Sequence, residues 1–126
     1  MTDRFPDLEL YILNADPEAV LSWLQQDIGA LEAIKTTEHL IQWHCQNSDG
    51  ESMDIHLTFK AEKNFASLWF KQNKTPWDND LSAGRRAFEV MGQEIRCSDS
   101  GWKEDSASDE GGWIKLNHNG EKPFSW

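Results

Sequence analysis

Cysteine is scarce in this chain, with only Cys45 and Cys97 among 126 residues. That excludes a disulfide framework, and two free thiols are expected, at least one of them packed as a small hydrophobe. Long apolar runs are lacking as well. No stretch approaches the roughly 20 residues that a helix needs to cross a bilayer. The opening MTDRFPDLEL has no basic segment followed by an apolar one, so no signal peptide is readable. A soluble, cytoplasmic protein is the expectation. Bases are outnumbered, 12 against 22 acids, for a formal net charge of -10. Such a surface repels nucleic acid and anionic membranes, so neither is expected as a partner. Signatures of catalysis are missing too: no phosphate-cradling glycine loop, G-x-S-x-G elbow, H-E-x-x-H or C-x-x-C. A non-enzyme without cofactor or metal is the favoured reading.

Large apolar side chains are plentiful. Seven Trp, six Phe and 38% hydrophobic residues are too many for a disordered chain. No repeat or linker divides the sequence, so residues 1–126 are expected to form a single domain. A chain of this length buries roughly two-thirds of its unfolded surface.

Periodicity places the elements. LELYIL (8–13) alternates as a first strand. In the segment from Ala15 to Gly29, Asp16 suits the N-cap, Pro17 the first helical position and Glu18 the positive end of the dipole. Val20, Leu21, Leu24 and Ile28 form its apolar stripe, and Gly29 suits a left-handed stop. A short strand near 31–36 is preferred over a continued helix. A meander over 39–71 follows, with Ile41, Trp43 and Cys45, then Ile55, Leu57 and Phe59, then Ala66, Leu68 and Phe70 sharing one face.

A two-residue Asp49-Gly50 turn would send the first two sets to opposite sides. A three-residue loop with a glycine bulge instead pairs Cys45 with Ile55, Trp43 with Leu57 and Ile41 with Phe59. The loop 61–64 then pairs Phe59 with Ala66, Leu57 with Leu68 and Ile55 with Phe70. The second helix is expected to open with Thr75 as N-cap, Pro76 at its first position and Asp78 at its third. Leu81, Gly84, Phe88 and Met91 form its inner stripe, and Gly92 ends it. Strands at 94–97 and 113–117 complete an α+β fold. It comprises a mostly antiparallel sheet of about five to seven strands, with two amphipathic helices packed on one face.

Three features could carry function. The expected register sets His44 opposite His56, and His56 opposite Trp69, on the sheet face that the helices leave free. Asp54 and Lys71 lie nearby, with Leu40 and Phe65 as further apolar members. Two cross-strand histidines are close enough to share a metal, but two ligands make an incomplete site. The DND at 78–80 is explained by capping and the helix dipole without any metal.

The third feature is DSGWKEDSASDEGGW, residues 99–113, with five acids and two tryptophans. A calcium loop counted from Asp105 fails, because Ala107, Glu110 and Leu116 fall where an oxygen ligand, a glycine and a glutamate belong. Its glycines and serines give residues 99–112 the composition of a flexible acidic loop. As a contact surface it would steer a basic protein partner. Asp99, Glu104, Asp105, Asp109 and Glu110 would make the contacts, with Trp102 or Trp113 as anchor. A protein–protein interaction module is therefore the leading reading, in concrete form an inhibitor or immunity-type protein for a basic partner. The alternatives are a small-ligand or enzymatic domain on the His44, His56, Trp69 face, and a homodimer or other homo-oligomer without catalytic activity.

Overall fold

The computed structural model describes residues 7–46, 49–98 and 113–124. The acids Asp99, Glu104, Asp105, Asp109 and Glu110, with Trp102, lie outside the described residues. Among the described residues, eight strands and two helices follow in the order β1 (Leu8–Leu13), α1 (Pro17–Asp27), β2 (Leu31–Thr36), β3 (Leu40–Gln46), β4 (Ser52–Glu62), β5 (Phe65–Phe70), α2 (Asp80–Met91), β6 (Ile95–Ser98), β7 (Trp113–Asn117) and β8 (Gly120–Phe124). They form an α+β fold around a single antiparallel sheet ordered β2-β3-β4-β5-β1-β6-β7-β8. The strand count exceeds the expected range because GEKPF pairs as β8, despite a proline. A proline is tolerated there because β8 is an edge strand, and its missing N–H need not serve a second neighbour.

One face of the sheet holds the core. Leu8, Leu10, Ile12, Trp43, Cys45, Met53, Ile55, Leu57, Leu68 and Phe70 are buried on it, together with side chains of both helices. Both cysteines are free and buried, as their scarcity implies. Helix α1 starts as read: the Asp16 side chain accepts from the Glu18 N–H at 3.1 Å, and Pro17 follows. Its inner face is Val20, Trp23 and Leu24, with Leu21 and Ile28 at the margin. The helix stops at Gly29, though with φ at +148° rather than in the left-handed helical well.

Helix α2 begins later than its sequence suggests. Asn79 is the N-cap, its side chain accepting from the Ser82 N–H at 2.9 Å. Thr75 is instead buried in the preceding loop. Its hydroxyl donates to Asn73 Oδ1 at 2.6 Å and accepts from the Trp77 N–H at 3.1 Å. That loop delivers Trp77 onto Trp23 and Phe70, with ring centroids 5.2 and 6.2 Å away. Burying an indole there outweighs starting the helix one turn sooner. Gly92 ends α2 in the left-handed conformation, φ +72°.

The inner face of α2 is made of Leu81, Ala83, Gly84 and Ala87, with Phe88 and Met91 half-buried at its margin. These small residues let the helix settle onto β6 and β7. A Cβ on Gly84 would lie 3.1 Å from both Cys97 Sγ and Leu116 Cδ1. Gly84→Val is expected to cost about 1–3 kcal/mol through overpacking. A urea midpoint equal to that of the wild type would show that the helix does not rest on the sheet at this point.

The meander keeps its faces but not its whole register. Observed pairs are Cys45 with Met53, Trp43 with Ile55 and Ile41 with Leu57, a slip of two residues from expectation. Continued inward, the expected register would set Asn47 opposite Met53 on the apolar face. The slip gives that place to Cys45 and buries Met53 fully, at the cost of a longer connection. Between β4 and β5, Leu57 pairs with Leu68 and Ile55 with Phe70 as expected. The register then shifts between Thr58 and Glu62, with Lys60 at φ +53°, and the Phe59–Ala66 pair is lost.

Candidate functional site

Both helices share the core face, so the other face of the sheet is where the described residues leave side chains accessible. Successive residues of a strand point to opposite faces. The alternation that buries Leu8 and Leu10 therefore turns Glu9 outward, and burying Ile55 and Leu57 turns His56 outward. One line of paired residues crosses this open face as Gln42, His56, Trp69 and Glu9.

Trp69 is the centre of this line. It is half-buried, and its Nε1–H donates to Asp7 Oδ2 at 2.8 Å. His56 meets its ring edge-on, with centroids 5.6 Å apart. The Lys71 ammonium lies 5.7 Å from the ring centroid, within reach of a cation–π contact. Glu9, its neighbour on β1, accepts from the Ser67 hydroxyl at 2.7 Å.

The slip in the meander breaks the expected histidine pair. His44 sits opposite Asp54, and His56 opposite Gln42. The result is a His44 Nδ1–Asp54 Oδ1 contact of 2.8 Å. An aspartate holding a histidine is the orienting half of an acid–base site, which needs a nucleophile or substrate group on the other nitrogen. Among the described residues the side-chain hydrogen bond of His44 is the one to Asp54, and no nucleophile is placed on its other nitrogen.

Among the described residues, His56 Nε2 is buried without a hydrogen-bond partner. Burial, then the nearby Lys71 charge, pushes its pKa below the usual histidine value, with Asp54 opposing. The ring is thus held toward its neutral form. Among the described residues, no three His, Cys, Asp or Glu side chains converge to hold a metal ion. Cys45 faces the core, where burial pushes its thiol pKa up and Asp54 adds to that. That is the opposite of a reactive thiolate.

Comparison of the chain with protein-family models, with curated proteins and with solved structures finds no match. The site must speak for itself.

Of the residues singled out in the sequence, the open face brings His56 and Trp69 into contact and leaves His44 beside them on Asp54. Trp113, at the start of β7, is half-buried and meets Tyr11 edge-on, with centroids 5.8 Å apart. It pairs with Ser98 across β6. The segment that carries the five acids therefore leaves and rejoins the sheet at adjacent positions. The acids Asp7 and Glu9 escaped the sequence reading. Alternation in LELYIL turned Glu9 outward, but nothing local to it says that β1 lies beside β5.

No helix among the described residues is long and apolar enough to cross a membrane.

Proposed function

We propose that this protein is a protein-binding module that seats a basic protein on the open face of its sheet, around Trp69. The observation that carries this reading is a half-buried indole whose N–H is held by one carboxylate, with two more on the same sheet face. Asp7 accepts its N–H, Glu9 is its partner on β1, and Asp54 stands two residues from His56, its partner on β4. Tryptophan is favoured as an interface anchor because it buries a large area at low entropic cost. Lys71 already holds a cation over this ring. A partner's guanidinium can make the same contact and also stack flat on the ring, which an ammonium cannot. The net charge of -10 would steer a basic surface toward it. The sequence adds Asp99, Glu104, Asp105, Asp109 and Glu110 between two paired positions of the same sheet. An inhibitor or immunity-type protein that blocks a basic enzyme is the concrete form of this reading.

The test is capture of proteins from native host lysate on the immobilised chain, eluted in a salt gradient and identified by mass spectrometry. The expected result is one basic protein, released by salt, whose affinity falls by at least about thirtyfold in Trp69→Ala. A partner indifferent to Trp69→Ala but lost when the five acids of 99–110 become amides would move the contact off the sheet face. Self-association by light scattering, with no other partner, would replace the proposal by the homo-oligomer reading.

A further inference from the structure

On the opposite side of the molecule, α2 and the β7–β8 hairpin meet without closing. Arg85 bridges them as a fork, with Nε and Nη2 donating to the two carboxylate oxygens of Glu121 at 2.8 and 2.9 Å. Phe88 meets His118 edge-on, with centroids 5.3 Å apart. A cleft of about 490 Å³ opens between the two elements. Phe88 and Leu116 give it an apolar lining, Arg85, Arg86 and Glu121 stand on it, and Gly120 contributes no side chain to fill it. That size, with apolar walls and a few charged groups, is what small-molecule sites share.

The charged groups indicate what kind of molecule. A guanidinium has five N–H donors. Arg85 spends two of them on Glu121, and Arg86 spends three on Asp27 and Glu89. Among the described residues, donors are left over beside an apolar floor. The fork of Arg85 already holds a carboxylate in the geometry it prefers. Both partners of that pair are exposed, 56% for Arg85 and 42% for Glu121. An exposed pair is worth little, so exchanging one carboxylate for another is cheap.

We propose that this cleft binds a hydrophobic monocarboxylate, its tail on Phe88 and Leu116 and its carboxylate on Arg85 in the place of Glu121. The net charge of -10 opposes any anion, so the apolar tail must supply the affinity. Glu121 then acts as an internal competitor.

Calorimetric titration with octanoate, acetate and octylamine tests this. Octanoate is expected to bind one per chain with a Kd on the order of 1 mM or tighter, while acetate and octylamine do not bind. Arg85→Gln weakens octanoate about tenfold, and Glu121→Gln, which removes the competitor, tightens it about tenfold. Both substitutions are at exposed positions, and circular dichroism checks that the fold is kept. Octanoate that does not saturate, octylamine that binds equally, or an Arg85→Gln protein with wild-type affinity each overturns the proposal. So does a Glu121→Gln protein that binds more weakly than wild type.

Discussion

Trp23→Ala is expected to cost about 3–5 kcal/mol of stability, the largest loss of any single substitution considered. The indole is fully buried. It stacks at a tilt on Trp77, 5.2 Å between centroids, and donates Nε1–H to Asp27 at 2.8 Å. Removing it deletes apolar burial and leaves a cavity between α1 and the loop before α2. A domain of this kind has about 5–15 kcal/mol in total, so the variant would be close to unfolding. Urea denaturation followed by circular dichroism reads the effect. A loss below about 1 kcal/mol would mean that α1 is not docked on Trp77 as described.

Asp27→Ala comes second, and its signature is pH. The Asp27 carboxylate accepts from Trp23 and from the Arg86 fork at 2.7 and 3.1 Å, and so ties α1 to α2. Its side chain is 13% exposed. The Arg86 hydrogen bonds are the main cause holding its pKa below the usual aspartate value, with burial opposing and the Trp23 hydrogen bond assisting. In the acid range, then, the folded state binds fewer protons at this site than the unfolded state. The stabilisation is complete above the unfolded value of about 3.9 and is lost as pH falls through the folded one. At neutral pH the alanine variant is expected to lose about 1–3 kcal/mol, because the indole N–H is left buried without an acceptor. The gap between variant and wild type should narrow below about pH 4. A gap that stays constant into acid would show that the carboxylate carries no linkage.

These two variants bear on parts of the fold that the sequence showed unevenly. Asp16-Pro17-Glu18 announced α1 by capping chemistry, which is local and reads directly. The expected stripe held Leu21 and not Trp23, whereas the helix buries Trp23 and leaves Leu21 at its margin, because the inner face depends on where the second helix lies. Asp27 looked like an ordinary surface acid until α2 brought Arg86 across from 59 residues away. On α2, Glu89 pairs with Arg86 as its spacing suggests, but Arg85, an equally good helical partner, turns to Glu121 on β8. The hairpin that supplies Glu121 was itself missed beyond β7.

The candidate site divides in the same way. That His44, His56 and Trp69 share one face followed from alternation alone, because a period of two is a property of the extended chain. It survived the slip in the meander because a slip of two residues preserves every face. Whether His44 faced His56 or Asp54 did not follow. Both registers keep the apolar residues together, and they differ in whether Asn47 or Cys45 meets Met53 in the core.

By itself, the sequence determined the class of the fold, the cap of its first helix, the inner faces of β3, β4 and β5, and a net charge of -10. Only the tertiary structure decided that β1 lies between β5 and β6, which sets Glu9 beside Trp69, and that α2 leaves a cleft against the last hairpin. The first group rests on local periodicity and capping, which neighbouring residues specify. The second rests on contacts between distant segments, where several arrangements satisfy the local rules and the packing of one shared core selects among them.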